Sequence, residues 1–136
     1  MARSVLVDAG FLVALLGKRD THQKWALTQA EALPPTWFTC EAVVSEAYHL
    51  VGELGVGTLT AMLRRGALVV LFDLTQHLEP VLTLIEKYAD VPMALADACL
   101  VRMTEILEDP IILTVDQDFR VYRRHSRHVV PCVLPD

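Results

Sequence analysis

The sequence predicts an α/β fold in which a mainly parallel sheet is covered by helices on both faces, and three observations carry that expectation. At 53% hydrophobic over 136 residues, the chain holds enough apolar material for one full core. Short, nearly uninterrupted apolar runs alternate with stretches whose apolar residues recur at helical spacing. Two of those runs, Val5–Val7 and Ile111–Val115, end directly in an aspartate, at Asp8 and Asp116.

Ser4 to Val7 reads as a buried strand, and Ala9-Gly10 turn the chain into a helix from Phe11 to Gly17. Thr21 is placed to cap a helix carrying Trp25, Ala26, Ala30 and Leu33. Pro34-Pro35 must end it, because proline lacks the N–H and clashes with the preceding turn. Trp37–Thr39 is a brief strand. From Cys40 to Leu54 the spacing is helical, Gly55 and Gly57 break the helix, and Thr58 opens another to about Arg65. Ala67–Phe72 is the clearest strand, and Thr75–Tyr88 a helix with Pro80 near its first turns. Pro92 fits the first turn of a helix reaching Leu107. Ile111–Val115 is a buried strand, and His128–Val133 an edge strand interrupted by Pro131. One domain over residues 1–136 is expected.

Charge and cysteine content remove several classes. Twelve Lys+Arg against 17 Asp+Glu leave a net charge of -5, which argues against coating nucleic acid or an anionic membrane by bulk charge. RNA stays open as a substrate, since carboxylates gathered around metal ions can carry much of that negative charge. Cys40, Cys99 and Cys132 form no CxxC pair, so neither a disulfide framework nor a zinc knuckle is expected, and a reduced, cytoplasmic setting fits. The N-terminal stretch resembles a signal peptide only superficially, because Asp8 interrupts it; no apolar run is long enough to cross a membrane.

Ligands of parallel sheets bind beyond the carboxyl ends of the strands, which makes Asp8 and Asp116 informative. Each is equally readable as a metal or catalytic carboxylate and as a cap for the following turn. Asp97 is sharper. Met93, Ala94, Leu100 and Val101 surround it on an apolar helix face, while Arg102 and Glu105 project elsewhere. A buried carboxylate is costly unless paired, protonated or bound to a cation. Glu46 flanks an apolar arc of Val43, Ala47, Leu50 and Leu54, a position that suits a ligand or a solvated edge residue; Glu41 belongs to the helix start. Carboxylates from two strand ends and two helices that converge would repel one another, and a hard divalent cation relieves this. Oxygen-only ligation selects Mg²⁺ or Mn²⁺, suited to phosphodiester hydrolysis.

The segments VLVDAGFLVALL, VVSEAYHLV, DVPMALADACLV and ILTVDQDFRVYRR, in this order, resemble the PIN-domain ribonucleases, in particular the VapC-type toxins of toxin–antitoxin pairs. The resemblance implies a central parallel sheet of four or five strands and a Mg²⁺- or Mn²⁺-dependent endoribonuclease acting on single-stranded RNA. Its acidic quartet maps onto Asp8, Glu46, Asp97 and Asp116, with Asp118 and Asp90 as outer or auxiliary members. The family commonly carries Thr or Ser after its first Asp; Ala9-Gly10 stand there, and Thr114 is the candidate for a nearby hydroxyl. A homodimer and a small antitoxin partner are also implied.

Residues 119–128, FRVYRRHSRH, carry Arg120, Arg123, Arg124 and Arg127 close after Asp116. They suit either phosphate binding, with Phe119 and Tyr122 as stacking surfaces, or a solvated turn with two core aromatics. His22 and His49 read as surface residues, Trp25 and Trp37 as packing. Against the nuclease stands a non-catalytic RNA-binding or protein-interaction module of the same fold. A phosphatase using Asp8 as nucleophile lacks the second Asp, since Gly10 stands there, and a DNA flap nuclease needs more chain than is present.

Overall fold

Parallel strands need crossover connections, and the alternation of apolar runs with helical stretches supplies them. The computed structural model describes residues 3–17 and 20–136. Strands β1 (Ser4–Val7), β2 (Trp37–Thr39), β3 (Leu68–Val70) and β4 (Pro110–Leu113) join a last strand, Cys132–Val133, in one five-stranded sheet. Two further short strands, β5 (Arg123–Arg124) and β6 (His128–Val129), pair antiparallel in a hairpin, so the last strand is β7. The sheet order is β3-β2-β1-β4-β7, and every pairing in it is parallel. The expected parallel sheet of four or five strands is what forms.

Helices α1 (Ala9–Leu16) and α2 (Gln23–Ala32) link β1 to β2, and α3 (Glu41–Leu50) and α4 (Gly52–Arg64) link β2 to β3. Helices α5 (Leu78–Lys87) and α6 (Leu95–Ile106) return the chain from β3 to β4. The outward crossovers and the returning one run in opposite directions along the sheet. With right-handed connections, their helices therefore cover opposite faces. The strand order reverses at β1, which places a crevice at the carboxyl ends of β1 and β4. Beneath it Leu6, Phe11, Leu12, Trp37, Ile112 and Leu113 are fully buried. Phe11 meets Trp25 and Trp37 edge-on at 5.9 and 5.4 Å, and the Trp37 ring N–H donates to the Leu33 carbonyl at 2.8 Å.

Several boundaries differ from expectation for identifiable reasons. Thr21 caps nothing; the Asp20 side chain accepts from the His22 N–H instead, and α2 starts at Gln23. Gly55 and Gly57 remain inside α4, and the chain turns at Gly52, whose φ of +75° suits glycine. Thr75 lies in a 3₁₀ turn over Leu74–His77, begun by Asp73 accepting from the Thr75 N–H at 3.0 Å. Pro92 sits in a turn, not in a helix, and α6 begins only at Leu95. Pro131 divides the last segment in two: His128–Val129 pairs with the hairpin and Cys132–Val133 with β4.

Gly52 and Gly57 both have open space where a side chain would begin, so they differ only in backbone. Gly57→Ala is expected to stabilise the protein by about 0.5–1 kcal/mol in urea unfolding, and Gly52→Ala to destabilise it by about 1 kcal/mol.

Candidate metal centre

Each aspartate at the crevice is fixed by a different local device. Asp8 follows β1 and opens α1, with its Oδ1 accepting from the Ala9 N–H at 2.7 Å. Its other oxygen, Oδ2, accepts from the Thr114 hydroxyl at 2.8 Å across the β1–β4 pairing. The same hydroxyl accepts from the Asp116 N–H at 3.0 Å, so Thr114 ties the two strand ends together. Asp116 then accepts from the Asp118 N–H at 2.9 Å and starts a 3₁₀ turn over Gln117–Arg120. Asp97 stands in the first turn of α6. Its Oδ2 accepts from the buried Tyr122 hydroxyl at 3.0 Å and from the Ala94 N–H at 3.4 Å.

One carboxylate oxygen from each of Asp8, Asp97 and Asp116 lies within 4.8 Å of the others. Asp8 and Asp97 are buried, at 6% and 8% exposure, and Asp116 is half-buried. Burial is the largest influence on Asp8 and lifts its carboxyl from the ordinary 3.8 to about 7. The Thr114 hydrogen bond works against that rise, and the charges of Asp97 and Glu46 add to it. Asp97 is likewise raised by burial and by repulsion from Asp116 and Glu46, against the hydrogen bond from Tyr122. Burial and the neighbouring Asp97 push the Tyr122 hydroxyl upward, which keeps it a donor. Three converging, mutually repelling carboxylates with oxygen-only donors fit a hard divalent cation.

The remaining sequence candidates fall around this centre. Glu46 is exposed on α3 and lies outside the converging group, although its charge reaches both Asp8 and Asp97. Asp118 sits beside Asp116 and is half-buried, whereas Asp90 is exposed in the turn after α5. Arg123 spends one guanidinium nitrogen on the carbonyls of Arg120, Val121 and Tyr122, and Arg124 binds the Thr104 carbonyl and hydroxyl. Arg120 and Arg127 are exposed, with Arg120 Nε donating to Gln117 at 2.7 Å. Phe119 and Tyr122 are fully buried and pack edge-on at 5.3 Å, so neither offers a stacking surface. The two residues are the core aromatics that the sequence allowed as the alternative to stacking surfaces, and what the sequence did not show is the Tyr122 hydrogen bond to Asp97.

The PIN-domain family model matches residues 5–124, and the chain belongs to that family. No curated protein matches the chain. Among solved structures, VapC20 of Mycobacterium tuberculosis, described as a toxin that cleaves the sarcin–ricin loop, superposes with a TM-score of 0.73 at 20% identity. The match covers 87% of this chain and 94% of that one, and at this identity it is a likeness of fold. Among the described residues, no helix is long and apolar enough to cross a membrane.

A carboxyl raised in the folded state binds more protons there than in the unfolded chain. The cation-free protein is therefore expected to lose stability as pH rises from about 4 to about 7, by on the order of 2–4 kcal/mol. Urea unfolding of the Asp8→Asn protein across this range should lack most of that fall; an equal fall in both proteins would contradict the assignment.

Proposed function

We propose that the protein is a Mg²⁺- or Mn²⁺-dependent endoribonuclease that hydrolyses phosphodiester bonds of single-stranded RNA, and that it is the toxin of a toxin–antitoxin pair. The observation that carries the reading is the meeting of Asp8, Asp97 and Asp116 within 4.8 Å. When bound, a divalent cation supplies an activated water and stabilises the charge developing on the phosphate. Thr114 holds Asp8, and Tyr122 holds Asp97, each through one carboxylate oxygen. Glu46 and Asp118 supply outer negative charge, and the cytoplasm, a homodimer and a small antitoxin partner belong to the same reading. A structure of the same fold, described as a toxin that cleaves the sarcin–ricin loop, supports it.

Phosphate contacts are assigned to the exposed Arg120 and Arg127, because Arg123 and Arg124 already serve carbonyls. Replacing both exposed arginines by Ala should lower the slope of log binding against log salt by roughly one for each arginine removed. Filter binding to a single-stranded RNA in EDTA measures this.

Wild-type protein with Mg²⁺ or Mn²⁺ is expected to cut single-stranded RNA and to stop in EDTA. Asp97→Asn should slow cleavage by about 10²-fold or more while leaving the circular dichroism unchanged. Equal cleavage by both proteins, or none by wild type over varied RNAs, would remove the nuclease reading.

A further inference from the structure

Beside the aspartates lies a cavity of about 470 Å³ that the carboxylate chemistry does not use. It opens at the carboxyl ends of β2 and β3, on the same edge of the sheet. The β1–β2 register pairs Leu6 with Phe38, so two residues further on Asp8 faces Cys40, which lines the cavity. Adjacent strands are about 4.8 Å apart, so the two spaces are one strand apart. Helix α6 bridges them as well, with Asp97 on one space and Leu95 and Cys99 on the other. An RNA with a phosphate at the aspartates would have its adjacent nucleotide within reach of this opening.

The lining decides what can enter. Phe72, held by stacking on His77 at 5.0 Å and 22°, forms an apolar wall with Leu74 and Leu95. Glu41 and Asp73 place carboxylates at the rim, and the lining contains no Lys, Arg or His. A phosphate is repelled, whereas a flat group with apolar faces and hydrogen-bond donors on its edge is accepted. Among the bases, guanine alone presents two adjacent donors, N1–H and the 2-amino group, that match the two oxygens of one carboxylate.

We propose that this cavity is a guanine subsite that selects the nucleotide next to the cleaved bond, an inference that rests on the nuclease reading above. Glu41 and Asp73 are the specificity-determining residues. Glu41, exposed at the first position of α3, is the carboxylate that takes the two donors, and Asp73, with one oxygen on the Thr75 N–H, adds a further acceptor through the other.

Two measurements test it. In EDTA, guanosine added to the wild-type protein should shift the NMR amide signals of Ser45, Thr75 and Cys99, and bind about tenfold or more tighter than adenosine, cytidine or uridine. Glu41→Gln and Asp73→Asn should each lose that preference, and Asn keeps the acceptor that begins the Thr75 turn. With Mg²⁺ or Mn²⁺ and a random-sequence RNA, end mapping should find guanine enriched at one fixed position beside the cut. Both variants should keep cutting, with the enrichment reduced about tenfold. No shift at those amides, equal binding of all four nucleosides, or cleavage without a base preference at that position overturns the subsite. Guanosine binding with no cleavage of any RNA leaves a guanine site standing and sinks the nuclease reading instead.

Discussion

Three carboxylates brought within 4.8 Å of one another, two of them buried, oppose the fold that holds them. Desolvation and mutual repulsion both favour the protonated form, and burial, with the charges of Asp97 and Glu46 added, raises the Asp8 carboxyl to about 7. The rest of the site is arranged to sustain it. Each aspartate keeps one oxygen or more engaged by a donor of the protein: Ala9 N–H and Thr114 for Asp8, Tyr122 for Asp97, and the Asp118 N–H for Asp116. These bonds orient the groups without neutralising them. What remains unbalanced is negative charge facing a common point.

The sheet explains why the three meet at all. Asp8 and Asp116 lie 108 positions apart in the chain, yet β1 and β4 are neighbours in register, with Val7 opposite Leu113. Because the order reverses at β1, the crossovers diverge there and leave the strand ends uncovered. Helix α6 then arrives from the returning crossover with Asp97 in its first turn. The Ala94 N–H at the helix start satisfies part of the carboxylate at 3.4 Å. A helix start, two strand ends and one buried tyrosine thus make a site from three distant parts of the chain.

Much of this is legible in the letters, and the illegible parts share a cause. Strand ends show because an apolar run followed by Asp is a local pattern, and Asp97 shows because its helical neighbours are apolar. Glu46 has neighbours of the same kind, yet it is exposed, since periodicity states which face a residue occupies and not how far that face is covered. Composition puts the break near Gly52 at Gly55 and Gly57 instead, because it cannot tell a glycine in the left-handed region from one inside a helix. At Gly55 a Cβ would lie 2.6 Å from that of Val51, a close approach that only tertiary structure reveals. Tyr122 stays ambiguous in the sequence for the same reason. Its arginine-rich surroundings suggest solvent, while its ring is buried between Tyr88 and Phe119.

The absence of a hydroxyl after Asp8 also has a structural account. Ala9 is buried, and its N–H donates to Asp8. Gly10 has no room for a side chain, because a Cβ would come within 2.5 Å of the Val115 side chain. Val115 holds that place because it continues β4 towards Asp116. The β1–β4 pairing that sets Val115 there also brings Thr114 across to Asp8. The hydroxyl at this site comes instead from Thr114, just past the end of β4. There one oxygen does two tasks, donating to Asp8 and receiving the Asp116 N–H, so the position of one aspartate cannot change without disturbing the other.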